Sequence, residues 1–129
     1  MSMTADLRDR LIAARIAGGS VFRDERPQKH SGAAVVLFTV SDPRPSTYDG
    51  LDRTRETRVQ FDCYGKDRGA AQALEEAVIA AATPRGAHGN TRFAGAFVAG
   101  SRDLTERPPG GALEYRQSLD LMIWHQPAA

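Results

Sequence analysis

The chain has 129 residues, of which 41% are hydrophobic and 26% are charged, and its formal net charge is +1. This composition is ordinary for a folded protein, so it excludes a largely disordered chain and favours a single domain over residues 1–129. The near balance of 17 basic and 16 acidic residues provides no long-range field, which argues against specific nucleic acid recognition and against binding to anionic membranes.

Cysteine and histidine are too few and too scattered for common site chemistry. One cysteine excludes an intramolecular disulfide, and His30, His88 and His125 lie in three separate segments. We therefore expect no metal and no cofactor, and we interpret the histidines as surface or capping residues. No apolar run approaches the ~20 residues that cross a bilayer, so we expect no membrane contact and a cytoplasmic location before any assembly.

The first predicted element is a helix over residues 5–16. Thr4 is its expected N-cap, because a threonine hydroxyl can accept a hydrogen bond from an early backbone N–H. Apolar residues at three- and four-residue spacings give this helix one buried face, namely Leu7, Leu11, Ile12 and Ile16. Gly18 and Gly19 end the helix, and residues 20–23 are either a first strand or an extended connection.

An apolar stretch and a polar arm follow. Residues 33–40, AAVVLFTV, form an almost unbroken apolar run of strand length, which predicts a central strand covered on both faces. Residues 41–54 are rich in proline, aspartate and short polar side chains, a composition typical of turns. Between two antiparallel strands this segment would project as a long arm, with Tyr48 and Leu51 as its apolar residues.

Residues 55–83 contain the clearest pattern in the chain, which is a strand, a turn and a helix in direct succession. Side chains alternate between apolar and polar along residues 55–64, as expected for a strand with one buried and one solvent-facing side. The apolar set is Val59, Phe61 and Cys63, and the polar set is Arg58, Gln60 and Asp62. After a polar turn, residues 70–82 have the apolar spacing of an amphipathic helix.

Two further strands complete the predicted fold. Residues 91–100 form a strand interrupted at Gly95, where a bulge or a close backbone approach is expected. Residues 113–124 alternate again, but Met122 and Trp124 place apolar groups on the polar face, so this end of the face is expected to be covered. The order of elements predicts an α+β fold, a mainly antiparallel sheet of about four to five strands with two helices packed on one face.

Cys63 is the residue for which nucleophilic chemistry has to be considered. A catalytic thiol needs exposure and a nearby base, whereas the alternation places Cys63 on the buried side of its strand. We interpret it as a core residue and expect no catalytic site. A small enzyme or ligand-binding domain remains an alternative, and it would require His88, Asp62 and Cys63 to meet in one cleft.

With these elements placed, the sequence resembles the tail completion or tail terminator proteins of long-tailed phages, including the versions carried by prophages and gene transfer agents. The resemblance is most specific in the central unit. A strand similar to residues 58–64, RVQFDCY, is followed in that family by a polar turn and an Ala-rich helix similar to residues 70–82, and it is preceded by a loop similar to residues 48–51, YDGL. The resemblance spans most of the chain.

The resemblance implies a non-enzymatic virion protein in the neck of a phage-like particle. Subunits of this kind form a ring, commonly hexameric, that caps the head-proximal end of the tail tube, ends tube growth and joins the tail to the head connector. The implied partners are other copies of the chain, the tail tube protein and the head–tail connector protein. A head–tail adaptor on the portal side is the alternative of nearest kind.

Contacts with other subunits or with the tube are expected at the arm, at the apolar end of the last strand and at a basic cluster that enters the central strand, formed by Arg53, Arg55 and Arg58. A ring subunit needs two different complementary flanks, and these segments combine charge with apolar groups on a polar strand face. The basic cluster can also be read as an ordinary solvated face. The candidate contact residues are Tyr48, Asp49, Leu51, Arg53, Arg55, Arg58, Met122 and Trp124.

Overall fold

A computed structural model describes residues 2–27, 32–42, 46–47, 50–51, 54–107 and 109–128. This part of the chain forms two α-helices and eight β-strands. In chain order they are α1 (Met3–Ala13), β1 (Val21–Arg23), β2 (Ala34–Ser41), β3 (Ser46–Thr47), β4 (Gly50–Leu51), β5 (Arg55–Gly65), α2 (Arg68–Ala82), β6 (Gly86–His88), β7 (Thr91–Asp103) and β8 (Tyr115–Pro127). A short 3₁₀ turn, Ile16–Gly19, lies between α1 and β1.

Six of these strands form one sheet in the order β1-β2-β5-β8-β7-β6, while β3 and β4 form a separate two-stranded ladder. β1 runs parallel to β2, and the other pairings of the sheet are antiparallel. The fold is therefore α+β and mostly antiparallel, as predicted, but the prediction of four to five strands is wrong. β1 and β6 are three residues long, which is too short to show an alternation, and β6 lies in a glycine-containing segment that favours a turn prediction.

Alternate residues of the long strands face one hydrophobic core. In β5 these are Val59, Phe61 and Cys63, all fully buried, as the alternation predicts. Residues 34–37 of β2 are buried, so the prediction of a strand covered on both faces is confirmed for this part of residues 33–40. It is wrong for the end of the run, where residues 39 and 40 are exposed. Each fully buried valine, leucine or phenylalanine side chain stabilises the fold by about 1.5 to 3 kcal/mol. The same cluster contains buried residues of both helices, including Leu7, Leu11 and Val78.

Both helices begin two residues before their predicted starts, because other residues cap them. Ser2 Oγ accepts a hydrogen bond from the Ala5 backbone N–H at 3.2 Å, so Ser2, and not Thr4, is the N-cap of α1. Asp67 Oδ1 accepts from the Ala70 N–H at 2.7 Å and caps α2. In each case a side-chain oxygen satisfies a donor that has no partner within the helix.

The first helix ends earlier than the apolar spacing predicts. α1 stops at Ala13, and Arg15 has a φ of 59°, in the left-handed region. Ile16 is nevertheless buried, because the 3₁₀ turn that follows keeps it on the core side. The sequence therefore predicts the burial of Ile16 correctly, but it places Ile16 in the helix wrongly.

β7 has two register irregularities opposite β8, between Phe93 and Gly95 and between Val98 and Gly100. Gly95 has a φ of 140°, and the bulge expected at this residue is confirmed. An extra residue in one strand reverses the face to which the following side chains point. Phe93 consequently lies in the core, whereas Phe97, four residues later, is 48% exposed.

Candidate assembly surface

The sheet has a second face, opposite to the one that carries core residues such as Val59 and Leu121. Strand alternation and the pairing registers place a mixed set of side chains from β5, β7 and β8 on it, most of them partly or largely exposed. We call this surface the outer face. The residues that define it are Arg58, Asp62, Phe97, Arg102, Ser118, Asp120, Met122 and Trp124.

An aromatic pair forms the apolar part of the outer face. The rings of Phe97 and Trp124 have centroids 5.2 Å apart and are inclined by 36°, a separation at which aromatic rings attract. Met122 lies opposite Phe97 in the β7–β8 ladder, and both Met122 and Trp124 are half-buried. The sequence identifies Met122 and Trp124 but misses Phe97, because the face of Phe97 depends on the bulge at Gly95.

A charged pair lies beside these apolar residues. Nε and Nη2 of Arg58 both donate to Oδ2 of Asp120, at 3.0 and 2.8 Å. The Arg58 side chain is 38% exposed, so solvent screens the pair and its contribution to stability is small. The pair does fix the position of the guanidinium, and Asp120 uses only two of its five N–H groups.

The base of the predicted arm is held by a network around Asp42. Arg55 forms an ion pair with Asp42, and the Thr57 hydroxyl donates to Asp42 Oδ1 at 2.9 Å. The same hydroxyl lies 2.7 Å from Nε2 of His125, and because its one hydrogen is already donated, it accepts from Nε2–H. Asp42 lies at the start of the arm and Arg55 directly follows its end, so the network joins both ends of the arm at one place.

His125 is a correction to the sequence analysis, which treats the histidines as surface or capping residues. It is 5% exposed, since β8 continues beyond Trp124 and position 125 extends the core-facing series of alternate residues. Burial is the main reason that the pKa of His125 is lowered, and the Arg55 charge lowers it further, while Asp42 acts in the opposite direction. His125 is therefore part of the structural network and is buried as the neutral form.

The other predicted contact residues belong to the arm. Tyr48, Asp49 and Arg53 lie outside the described residues. Leu51 is in β4, where its backbone pairs with Ser46 of β3. Arg55, predicted as a contact residue of the basic cluster, is paired with Asp42 as described above.

A second set of polar contacts lies at the opposite end of β5. The Arg26 guanidinium carbon is 4.1 Å from the centre of the Tyr64 ring, and Arg26 donates to Glu114 Oε1 at 2.6 Å. Arg116 forms a longer ion pair with Asp62, at 3.8 Å. These contacts tie the segment before β8 to the sheet, and they leave the aromatic pair and the Arg58 region as the more open parts of the outer face.

The residues of the enzyme alternative do not converge. Cys63 is fully buried, and burial, followed by the charges of Glu75 and Asp62, raises the pKa of its thiol. Asp62 is the preceding residue in β5 and points to the other face, while His88 is in β6, separated from β5 by two strands. A thiol in this state is not available as a nucleophile.

No group of three or more histidine, cysteine, aspartate or glutamate side chains within the described ranges could hold a metal ion. Among the helices described, none is long and apolar enough to cross a membrane.

Comparisons with known proteins agree with the resemblance noted in the sequence. No curated protein matches the chain. A chain of the solved structure described as "Virion of native gene transfer agent (GTA) particle" is similar in fold, with a TM-score of 0.66 and 16% sequence identity over 96% of this chain and 95% of that chain. The model of the family described as "Tail completion protein gp17" matches residues 2–126. The predicted resemblance is thus confirmed over nearly the whole chain, which belongs to the tail completion protein gp17 family.

Proposed function

We propose that this chain is a structural protein of a tailed phage or gene transfer agent particle. The observation that carries the proposal is the family match over residues 2–126, which leaves almost no part of the chain for a different function. The similar fold of a chain in a gene transfer agent virion supports the same assignment.

Its specific role is to form a ring, hexameric when assembled, that caps the head-proximal end of the tail tube. The ring ends tube growth and presents a docking surface to the head connector, so its partners are other copies of the chain, the tail tube protein and the connector protein. A ring requires heterologous contacts, in which two different surfaces of each subunit meet. We infer that α1 and α2 share the core-facing side of the sheet, which leaves the outer face as one such surface.

The residues of the outer face suit a protein interface. Aromatic residues, methionine and arginine are enriched at the centre of interfaces, and the outer face has Phe97, Trp124, Met122 and Arg58 close together. We propose that the arm, with Tyr48, Asp49, Leu51 and Arg53, supplies further contacts. Arg55 supports these by holding the base of the arm through Asp42.

We also propose that the protein is not an enzyme. Its one thiol is buried and its pKa is raised, and the side chains of the enzyme alternative lie on different faces and strands.

The alternative role within the same class is a head–tail adaptor on the portal side. Deletion of the gene distinguishes the two roles by electron microscopy of the resulting particles. Loss of a terminator gives tails of uncontrolled and often excessive length, whereas loss of an adaptor gives tails of normal length that do not attach to heads. A wild-type copy supplied in trans is the control and restores normal particles in either case. Particles that remain normal without the gene would contradict both roles.

A further inference from the structure

A polar pocket of about 180 Å³ opens on the outer face. It lies over β8, between β5 and β7, where Gly100 is paired with Asp120 and Arg102 with Ser118. A Cβ added at Gly100 would meet no atom within 4 Å, so the pocket exists because this position of β7 has no side chain. The lining residues are Arg58, Gly100, Ser101, Arg102, Ser118 and Asp120.

Within the described part of the chain, one positive side chain of the pocket has no partner. Asp120 is paired with Arg58 through two hydrogen bonds to one carboxylate oxygen. Arg102 has no hydrogen bond or ion pair with any residue in the described part of the chain. Arg58 also retains N–H donors beyond the two that Asp120 uses. The pocket therefore contains the guanidinium groups of Arg58 and Arg102 and the carboxylate of Asp120, which together have a net charge of +1.

Ser118 adds a second and independent observation. It lines the pocket and is 2% exposed, yet its Oγ has no hydrogen-bond partner. Buried hydroxyl groups are nearly always hydrogen-bonded, because an unpaired one costs free energy. The Oγ atom has almost no surface open to solvent, so an acceptor in the pocket reaches it only when the Ser118 side chain turns toward the pocket.

We propose that the pocket binds the carboxylate side chain of an aspartate or glutamate that a neighbouring protein presents in the assembled particle. This inference rests on the proposed function for the identity of the neighbour as a particle component, and it adds the chemistry by which the outer face recognises it. A carboxylate has two oxygens, which match the planar donors of the two arginines. The exposed ring of Phe97, close to Gly100 along β7, provides apolar contact beside the charged group.

A nucleic acid is the less suitable occupant. Phosphate-backbone binding depends on several cations arranged along a surface, whereas this pocket has a net charge of +1 and contains the carboxylate of Asp120. The whole chain also has a net charge of only +1.

The proposal is tested on the isolated full chain by backbone amide NMR with a blocked tetraglutamate peptide. We expect the amides of Gly100, Arg102 and Ser118 to shift on titration, and a blocked tetraglutamine peptide to leave them unchanged. Arg102→Gln should weaken tetraglutamate binding by about tenfold, the size expected for one hydrogen bond to a charged group. Arg92→Gln removes an exposed arginine from the same strand and should leave the affinity unchanged.

Gly100→Leu fills the pocket and should abolish the shifts at Arg102 and Ser118. The amide spectrum of each variant reports whether it is folded, and the exposed position of Arg102 keeps the test valid if Gly100→Leu does not fold. The proposal is overturned if tetraglutamate causes no shift at these residues or if Arg102→Gln binds it as tightly as the wild type. It is also overturned if inorganic phosphate or an oligothymidylate binds the pocket more tightly than tetraglutamate. Because these measurements use the isolated chain, a negative result leaves the ring proposal standing. Evidence against the ring proposal would come only from the particles.

Discussion

The rings of Phe97 and Trp124 meet on the outer face with their centroids 5.2 Å apart, although Phe93, in the same strand as Phe97, is buried in the core. The bulge at Gly95 produces this arrangement, since it reverses the direction of the side chains that follow. Two aromatic rings are thereby placed on a surface that the isolated chain leaves partly open to solvent. An exposed aromatic pair is typical of a protein contact site.

We expect Phe97→Ser to prevent assembly while leaving the fold intact. Phe97 is 48% exposed, so its loss should lower the free energy of unfolding by only about 1 kcal/mol. The yield of complete particles should fall by at least about tenfold, as for an interface hot spot. The measurements are thermal unfolding of the purified chain and particle counts by electron microscopy.

Val98→Ser is the matched control for this prediction. Val98 is the next residue of β7, is similarly exposed at 44% and points to the other side of the sheet. This variant should assemble normally. Normal particle yield with Phe97→Ser would remove the aromatic pair from the proposed interface.

The turn between β6 and β7 should tolerate no side chain at Gly89. A Cβ there would collide with the Asp6 carboxylate, which accepts hydrogen bonds from the Asn90 N–H at 3.1 Å and the Thr91 hydroxyl at 2.6 Å. Gly89 also has a φ of +60°. We expect Gly89→Ala to lower the free energy of unfolding by about 3 kcal/mol, from backbone strain together with disturbance of a buried carboxylate.

Gly110→Ala separates the two causes of this loss. Gly110 has a similar φ of +72°, but a Cβ there meets no atom within 4 Å, so only the backbone cost of about 1 kcal/mol should appear. Urea denaturation of both variants provides the comparison. Equal losses would show that the contact between Gly89 and Asp6 is unimportant.

Stability should decrease as the pH falls below about 6.5, because His125 resists protonation in the folded state. The pKa of His125 is lowered from its ordinary value of 6.5, chiefly by burial and then by Arg55. The unfolded chain therefore binds a proton more readily below pH 6.5, so the stability contributed by neutral His125 is complete above that pH and is lost as the pH falls toward the folded pKa. Each such proton corresponds to about 1.4 kcal/mol per pH unit.

His125→Gln should flatten this dependence. Urea denaturation at several pH values between 7.5 and 5 gives the slope, and the variant should have a smaller slope than the wild type. The His88→Gln variant is compared with it to separate the contributions of the two histidines to the slope. The pKa of the more exposed His88 is also lowered, by burial and by Arg10. The interpretation is wrong if His125→Gln and the wild type lose stability with the same slope.

Cys63 should be unreactive in the folded protein. The thiol is fully buried and its pKa is raised by burial and by the nearby carboxylates of Glu75 and Asp62, so the reactive thiolate is scarce and inaccessible. We expect no labelling by iodoacetamide under native conditions and complete labelling in urea. Rapid native labelling would reopen the alternative of a functional thiol.

The sequence predicts the parts of this structure that depend on local periodicity. The alternation in β5 identifies Val59, Phe61 and Cys63 as core residues, and the helical spacing identifies α2. The features that were missed depend on contacts between distant segments or on a single irregular residue. The position of Phe97 depends on one bulge, and the burial of His125 depends on how far β8 continues beside β5. The pocket is formed by Arg58, Arg102 and Ser118 from three different strands, and no local pattern brings these residues together.

The most direct test of the proposed function is a cryo-electron microscopy reconstruction of intact particles at a resolution that allows this chain to be traced. We predict a ring of this chain at the head-proximal end of the tail tube, with the outer face around Phe97 and Trp124 buried against a neighbouring protein. Absence of the chain from the neck would contradict the proposed function. A ring in which the outer face remains open to solvent would contradict the proposed interface.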